Sequence, residues 1–347
     1  MKRRLRLILG IAVSLVAVYA VVRYAGLTSP ANLRDFLGRL WEIYRGANYS
    51  YIAPALLLLL LINWARAYRW RLLVHADQHL PLGRLFSIVN IGYLFNNILP
   101  AKAGELVRGY LVGRMIPGGM ARGLSSLLVE RLLDVLVLVA LALGLMPLVD
   151  VPPFLIDAGR LLGVVSVCGV AVLSVLAKVG DQGLDRVWRL LERVPWVGHP
   201  KVKRALKALL AGFRVLTVGK LLPGIALWSL VIWFGYALFN YVILAVLRMT
   251  YLPFTAAAFV LCATGFAMVL PSSPGAVGVF ETAAVLALSV YGVEKSQAVG
   301  YAFGLHALTN VALIILGLWG LASEGLTYAD IRGKAIEGDV GQGASLS

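Results

Sequence analysis

Charged residues are scarce in this chain: 14% of its 347 residues are Asp, Glu, Lys or Arg, while 60% are hydrophobic, and the mean hydropathy is +0.84. That shortage excludes a water-soluble globule, which at this length needs far more polar surface to cover its core. Acidic residues are scarcer than basic ones, 17 against 32, leaving a net charge of +15. The basic residues lie between apolar runs and form no continuous face, so no nucleic-acid partner is expected and the charge reads as a membrane orientation signal. Cysteine is nearly absent. Cys168 and Cys262 sit in apolar stretches with no CxxC or Cys/His spacing nearby, so neither a disulfide framework nor a metal site is indicated. The four histidines, His75, His79, His199 and His306, show no metal spacing, and no nucleophile, base and acid can be assembled around them. No metal, no cofactor and no catalytic group is therefore expected.

What the chain does have is long apolar runs. Crossing the hydrocarbon layer takes about 20 apolar residues, and six segments reach that length: roughly 7–25, 50–72, 124–148, 155–178, 222–247 and 299–322. The first has a basic start (Lys2, Arg3, Arg4, Arg6) that imitates a secretory signal. Its apolar run is long for one, and Tyr24-Ala25-Gly26 is a poor cleavage site, so it reads as a retained helix. Two further apolar stretches, 84–115 and 254–292, are broken near the middle by Pro100-Ala101-Lys102-Ala103-Gly104 and Pro271-Ser272-Ser273-Pro274-Gly275. Proline removes a backbone donor and clashes with the preceding turn, and glycine permits a reversal, so each stretch is predicted to be a hairpin of two helices.

A hairpin, re-entrant or doubly spanning, returns to the face it left, so orientation can be read without choosing between the two. With the amino terminus inside, the cytoplasmic segments hold 24 of the 32 Lys+Arg, 10 of them in 178–220, while the outer loops hold only Arg34, Arg39, Arg45, Arg248 and Lys295. The asymmetry predicts a multi-pass protein of the cell membrane with both termini cytoplasmic. In 178–220, Leu184, Val187, Leu190 and Leu191, then Leu206, Leu209, Leu210 and Phe213, fall at helical spacing and read as amphipathic helices on the inner leaflet. The membrane unit covers 1–325, and the Gly-rich polar tail, 326–347, reads as disordered.

An internal repeat carries more information than any single motif. Glu130 and Asp134 follow Glu105 by 25 and 29 residues, and His306 and Asn310 follow Glu281 by the same intervals. Each glutamate comes after a Leu-Pro break, Leu99-Pro100 or Leu270-Pro271. The chain thus holds two copies of span, broken hairpin, span, at about 50–148 and 222–322. By the charge count the copies run in opposite directions. The expected fold is an all-α integral membrane protein with about six full spans plus two Pro/Gly-broken hairpins in two inverted repeats, an arrangement that in transporters places the site near the midplane.

Half-helices beginning at Ala103-Gly104 and at Ala276-Val277 would present free N–H groups and the positive end of a dipole to a lipid phosphate. Lys102 either adds a cation at the first break or snorkels to the inner surface. Glu105 and Glu281 either cap those half-helices or face a polar cavity, where a carboxylate binds a cationic head group or cycles a proton; ionisable residues at membrane depth favour the cavity. Glu130 and Asp134, four apart, share a helix face and repel unless neutralised by Arg131 or by Arg108. They serve either as an ion-pair network or as substrate contacts.

The runs Arg66-Ala67-Tyr68-Arg69-Trp70, Asn97-Ile98-Leu99-Pro100-Ala101-Lys102-Ala103-Gly104-Glu105-Leu106-Val107-Arg108, Val129-Glu130-Arg131-Leu132-Leu133-Asp134 and Pro274-Gly275-Ala276-Val277-Gly278-Val279-Phe280-Glu281 stand in this order. Together they resemble the lysylphosphatidylglycerol synthase transmembrane (flippase-like, UPF0104) family over nearly the whole membrane part. The resemblance implies translocation of a lipid with a modified head group, aminoacyl-phosphatidylglycerol or a polyprenyl-phosphate-linked sugar. These motifs and the internal repeat together make Asn97, Pro100, Lys102, Gly104, Glu105, Arg108, Glu130, Arg131, Asp134, Pro274, Gly275, Gly278, Glu281, His306 and Asn310 the candidate binding or translocation residues. The chain departs from the two-domain synthases in lacking their aminoacyltransferase domain, so lipid synthesis is not expected. It departs again at His306, where the resemblance leads one to expect Arg; an imidazole makes that charge depend on pH. The expected partners are membrane lipids. The alternatives are a membrane-embedded lipid-modifying transferase, or an accessory subunit whose partner is a lipid- or glycan-synthesising enzyme.

Overall fold

The computed structural model describes residues 12–20, 22–23, 30–74, 80–99, 103–149, parts of 153–178, 207, 210, 212–269 and 273–331. Among them every regular element is a helix. After the helical residues 12–20 come α1 (Pro30–Arg45), α2 (Ile52–Val74), α3 (Leu82–Ile98), α4 (Ala103–Gly113) and α5 (Gly119–Leu145). Beyond the partly described middle follow α6 (Leu222–Val246), α7 (Phe254–Ala267), α8 (Val279–Ser289), α9 (Lys295–Ser323) and α10 (Tyr328–Ile331). This is an all-α membrane protein. Three helices among the described residues, at 49–74, 222–246 and 295–323, are long and apolar enough to cross a bilayer. Of the other predicted spans, 124–148 is present as the 27-residue α5, which carries charges in its middle. Segments 7–25 and 155–178 are described only in part.

Both broken stretches are hairpins, α3–α4 and α7–α8, with their arms packed together. Local chemistry makes the break. Leu99 precedes Pro100, whose ring excludes the helical conformation before it, and Leu99 is accordingly extended at φ −106, ψ 145. Ser273 precedes Pro274 and is extended too, at ψ 166. The arms of the first hairpin then close on glycine: the Gly92 carbonyl oxygen occupies the place a Cβ on Gly104 would need.

The repeat is visible in element lengths. Helices α4 and α8 have 11 residues each, with the glutamate third in both. Five residues later α5 and α9 begin, with Glu130 and His306 twelfth and Asp134 and Asn310 sixteenth. The equivalent helices α2 and α6 lie side by side and antiparallel, Ile62 meeting Gly235, Arg69 meeting Ser229 and Leu72 meeting Gly224. Antiparallel equivalents are what a two-fold axis in the membrane plane produces, so the repeats are inverted. Each repeat also lends its first hairpin arm to the other: α3 packs on α9, and α7 on α5. Small residues sit at these crossings, Gly317 and Gly320 against Asn90 and Ser87, and Gly265 against Leu138. In lipid, where apolar surface alone gives helices little reason to associate, close backbone approach supplies the packing.

Several expectations are corrected here. Arg66, Arg69 and Arg108, counted as cytoplasmic charge, are buried inside α2 and α4. The count predicted for the cytoplasmic side falls from 24 to 21. Residues 30–45, read as outer loop, form α1, which packs on α9 through Leu40, Ile43 and Tyr44. Of the stretch 178–220, most lies outside the described residues, but Phe213 and Val215 join a core cluster with Trp70 and Leu127 and do not rest on lipid. The tail is ordered as far as Ile331, because Tyr328 stacks on Phe95 with ring centroids 5.4 Å apart and Ile331 is buried. Residues 332–347 lie outside the described part.

Candidate functional site

The candidate residues gather into two ionic centres, one per repeat. In the first, Glu130 and Asp134 project from one face of α5, as their spacing required. Arg69 from α2 donates through Nη2 to Asp134 Oδ1 at 2.7 Å, and Arg66 Nη2 donates to Asp134 Oδ2 at 2.9 Å. Glu130 receives Arg108 Nη2 from α4 at 2.9 Å and Arg66 Nη2 at 3.3 Å. The second repeat reaches in through α6: Trp233 Nε1 donates to Asp134 Oδ1 at 3.3 Å, while the Tyr236 and Ser229 hydroxyls accept from Arg66 at 3.2 Å and Arg69 at 3.0 Å. Arg108 is further held over the Trp70 ring, 4.3 Å from its centroid. That face-on contact stabilises a cation in a dry setting.

Arg69, Arg108 and Glu130 are 0%, 1% and 1% exposed. The centre is less closed at one edge, where Arg131 Nε donates to Glu105 Oε1 at 2.7 Å and both side chains are about a third exposed, 36% and 27%. Four guanidiniums (Arg66, Arg69, Arg108, Arg131) therefore face three carboxylates (Glu105, Glu130, Asp134). The centre is cation-rich by one charge. Arg131, one of the two neutralising candidates, serves chiefly Glu105, with only a 3.5 Å contact to Asp134.

The second centre is simpler. Glu281 Oε2 accepts the Gly278 N–H at 2.7 Å, closing the start of α8, and Oε1 lies 2.6 Å from His306 Nδ1 on α9. Phe280 stacks on the imidazole at 4.4 Å. Gly278 has φ 89 and its missing Cβ leaves room for the Ser14 carbonyl, so the helical residues 12–20 lie against this tip. Ser14 Oγ accepts the Ser273 N–H at 3.0 Å, and the Thr282 hydroxyl donates to the Ala17 carbonyl at 2.9 Å. The tip's Gly275, at φ 66, approaches Asn97 of α3 and Asn310 of α9. The structure thus brings Asn97, Gly275 and Asn310 together at the junction of the two repeats.

One N–H near each half-helix start already has an acceptor within the protein. Asn96 Oδ1 accepts the Gly104 N–H at 2.9 Å, Glu281 caps Gly278, and α8 begins at 279 after a 3-10 turn at Pro274–Ala276. Pro100 and Lys102 lie outside the described residues. Sequence reasoning omitted Arg66 and Arg69 from the site because both stand near the end of an apolar run, where basic residues usually mark the loop. Their spacing of three, which puts both on one helix face, was the available signal. An apolar cavity of about 430 Å³ lined by Val139, Met146, Val164, Phe259 and Cys262 contains no residue of either centre and suits hydrocarbon. No group of His, Cys, Asp and Glu able to hold a metal exists among the described residues.

The family described as the lysylphosphatidylglycerol synthase TM region matches residues 7–317, which takes in both hairpins and both ionic centres. The chain belongs to that family. A UPF0104 membrane protein of Methanothermobacter thermautotrophicus is similar to it, 24% identical over 354 residues that cover 94% of this chain and 95% of the relative. No solved structure matches the chain. Membership extends to the membrane-embedded helices as a whole, so the two centres lie within the part of the chain that defines the family.

Proposed function

We propose that this protein translocates a phosphate-containing, head-group-modified lipid, such as aminoacyl-phosphatidylglycerol or a polyprenyl-phosphate-linked sugar. The observation that carries the reading is the cation-rich centre of Arg66, Arg69, Arg108 and Arg131, built between inverted repeats and open at the Glu105–Arg131 edge. Stability alone gives little reason for such a cluster, because apolar packing of the same volume is often at least as stabilising as a buried ion pair. Ionisable groups at membrane depth mark pathways for polar cargo. Guanidinium matches phosphate oxygens with paired donors, and an arriving phosphate can exchange with the partly exposed Glu105 carboxylate on Arg131. The paired hairpins supply two related halves that can rock about a central site, and membership of a family named for a lipid synthase's membrane region is consistent with a lipid cargo.

The test is leaflet accessibility of labelled candidate lipids in proteoliposomes, with variants checked for equal incorporation. Wild type should move its lipid faster than empty vesicles. Glu281→Gln should abolish movement while the protein stays folded, because the amide keeps size and some capping but removes the charge. Lys102→Ala should weaken affinity for anionic lipids more than it lowers the maximal rate. Equal rates for wild type, Glu281→Gln and empty vesicles would remove the reading, and a new lipid product would put a transferase in its place.

A further inference from the structure

The two ionic centres differ in one chemical respect. In the first centre the carboxylates Glu105, Glu130 and Asp134 are each neutralised by guanidinium, which keeps its proton at any accessible pH. In the second repeat the carboxylate of Glu281 faces an imidazole, which gains and loses its proton in the physiological range. Helices α6, α7, α8 and α9 carry no other Asp, Glu, Arg or His, and their single Lys, Lys295, is the first residue of α9.

Among the described residues, elements packed against α9 bring no substitute cation to His306. From α8 the titratable group is Glu281 alone. From α3 there are Tyr93 and Arg84, the latter engaged by Glu324 at 2.9 Å. From α1, Tyr44 donates to the Gly300 carbonyl at 2.8 Å, while Arg34, Asp35, Arg39, Glu42 and Arg45 are all exposed. From α6 there are Tyr236 and Tyr241 and no formal charge. Capping does not explain the histidine either, since Glu281 closes α8 through Oε2 and leaves Oε1 for the ring.

We propose that Glu281 and His306 form a proton-binding site within the membrane, which takes up and releases one proton as the lipid moves. The Nδ1–H bond to Glu281 is kept in both states, so the proton that comes from water and returns to it is the one on Nε2. Loaded, the pair is an imidazolium and a carboxylate with no net charge, and the Phe280 face supports the cation. Unloaded, it carries one negative charge in a setting with no other cation at hand among the described residues. Such a state is tolerated only when water or a cationic head group reaches it, which ties proton release to opening of the site.

The coupling to lipid rests on the proposed function, but the proton site does not, and the experiment separates them. Full-length protein with ¹⁵N-histidine in lipid nanodiscs is titrated by NMR, the His306 signals being assigned with His306→Gln. Over a titration from about pH 5 to 8 the His306 ring signals should change, and Glu281→Gln should alter that change. In proteoliposomes the wild-type rate should change about tenfold across that range, while His306→Arg, a cation that cannot unload, should vary less than about twofold. A His306 ring that does not titrate overturns the proton site, and a His306→Arg profile that follows wild type overturns its coupling to lipid movement. Titration without lipid movement at any pH upholds the proton site and removes the transport reading; lipid movement with a non-titrating His306 does the reverse.

Discussion

Arg69 reaches Asp134 across 65 positions of sequence, its Nη2 donating at 2.7 Å while its Nη1 donates to Ser229 on α6 at 3.0 Å. One wholly buried guanidinium therefore ties α2 and α5 of the first repeat to the leading helix of the second.

The network predicts an asymmetry between single and paired substitutions. Glu130→Ala leaves Arg108 without its carboxylate in a dry interior, and Arg66 with Asp134 alone, and should cost about 3–5 kcal/mol. Replacing Arg108 and Glu130 together with Met and Leu should recover much of that loss, since an apolar pair leaves no charge behind. Thermal unfolding in detergent reads this directly: Cys262 is buried and Cys168 exposed, so in a Cys168→Ser background a thiol-reactive dye reports opening. Equal melting of Glu130→Ala and wild type would contradict the arrangement.

Glycine 104 makes a sharper test, because the position looks like many other helical glycines in sequence. The Gly92 carbonyl fills the Cβ site of Gly104, while nothing lies within 4 Å of the Cβ site of Gly144. Gly104→Ala should destabilise the protein by about 1–3 kcal/mol through forced separation of the hairpin arms. Gly144→Ala should be neutral or stabilising by up to about 1 kcal/mol. The same melting assay compares them.

Exchange of hairpin arms between repeats can be trapped. The hydroxyls of Ser87 on α3 and Ser323 on α9 are 3.1 Å apart, so cysteines at these positions bring their sulfurs close to each other. Ser87→Cys/Ser323→Cys, in a chain with both native cysteines replaced, should lose its two free thiols on mild oxidation, as counted by mass spectrometry. Persistent free thiols would mean that α3 does not pack on α9.

Orientation follows from charge and is tested from outside. A single cysteine at Lys207 should react with a membrane-permeant maleimide and stay unlabelled by an impermeant one in intact cells. Labelling by the impermeant reagent would invert the predicted topology.

Much of the architecture was legible in the sequence because it is written locally. Pro100 ends α3 and Pro274 holds Ser273 extended through sterics confined to adjacent residues, and apolar runs longer than a bilayer is thick have few alternatives to helix. The repeat was legible too, since the intervals from Glu105 to Glu130 and Asp134 and from Glu281 to His306 and Asn310 reappear as matching positions in helices of equal offset.

Partnership was decided by the tertiary structure alone. Glu130 and Asp134 announced a need for cations; Arg108 meets it at Glu130, but the guanidiniums at Asp134 come from Arg66 and Arg69, more than 60 positions away. Whether a basic residue near the end of a span faces the cytoplasm or an interior carboxylate depends on which helix lies beside it. The pairing of α3 with α9 likewise depends on Gly317 and Gly320 admitting the backbone at Ser87 and Asn90. Periodicity and composition decide which segments become helices in lipid; contacts between distant small and polar residues decide which helices meet, because a uniformly apolar solvent favours no particular neighbour.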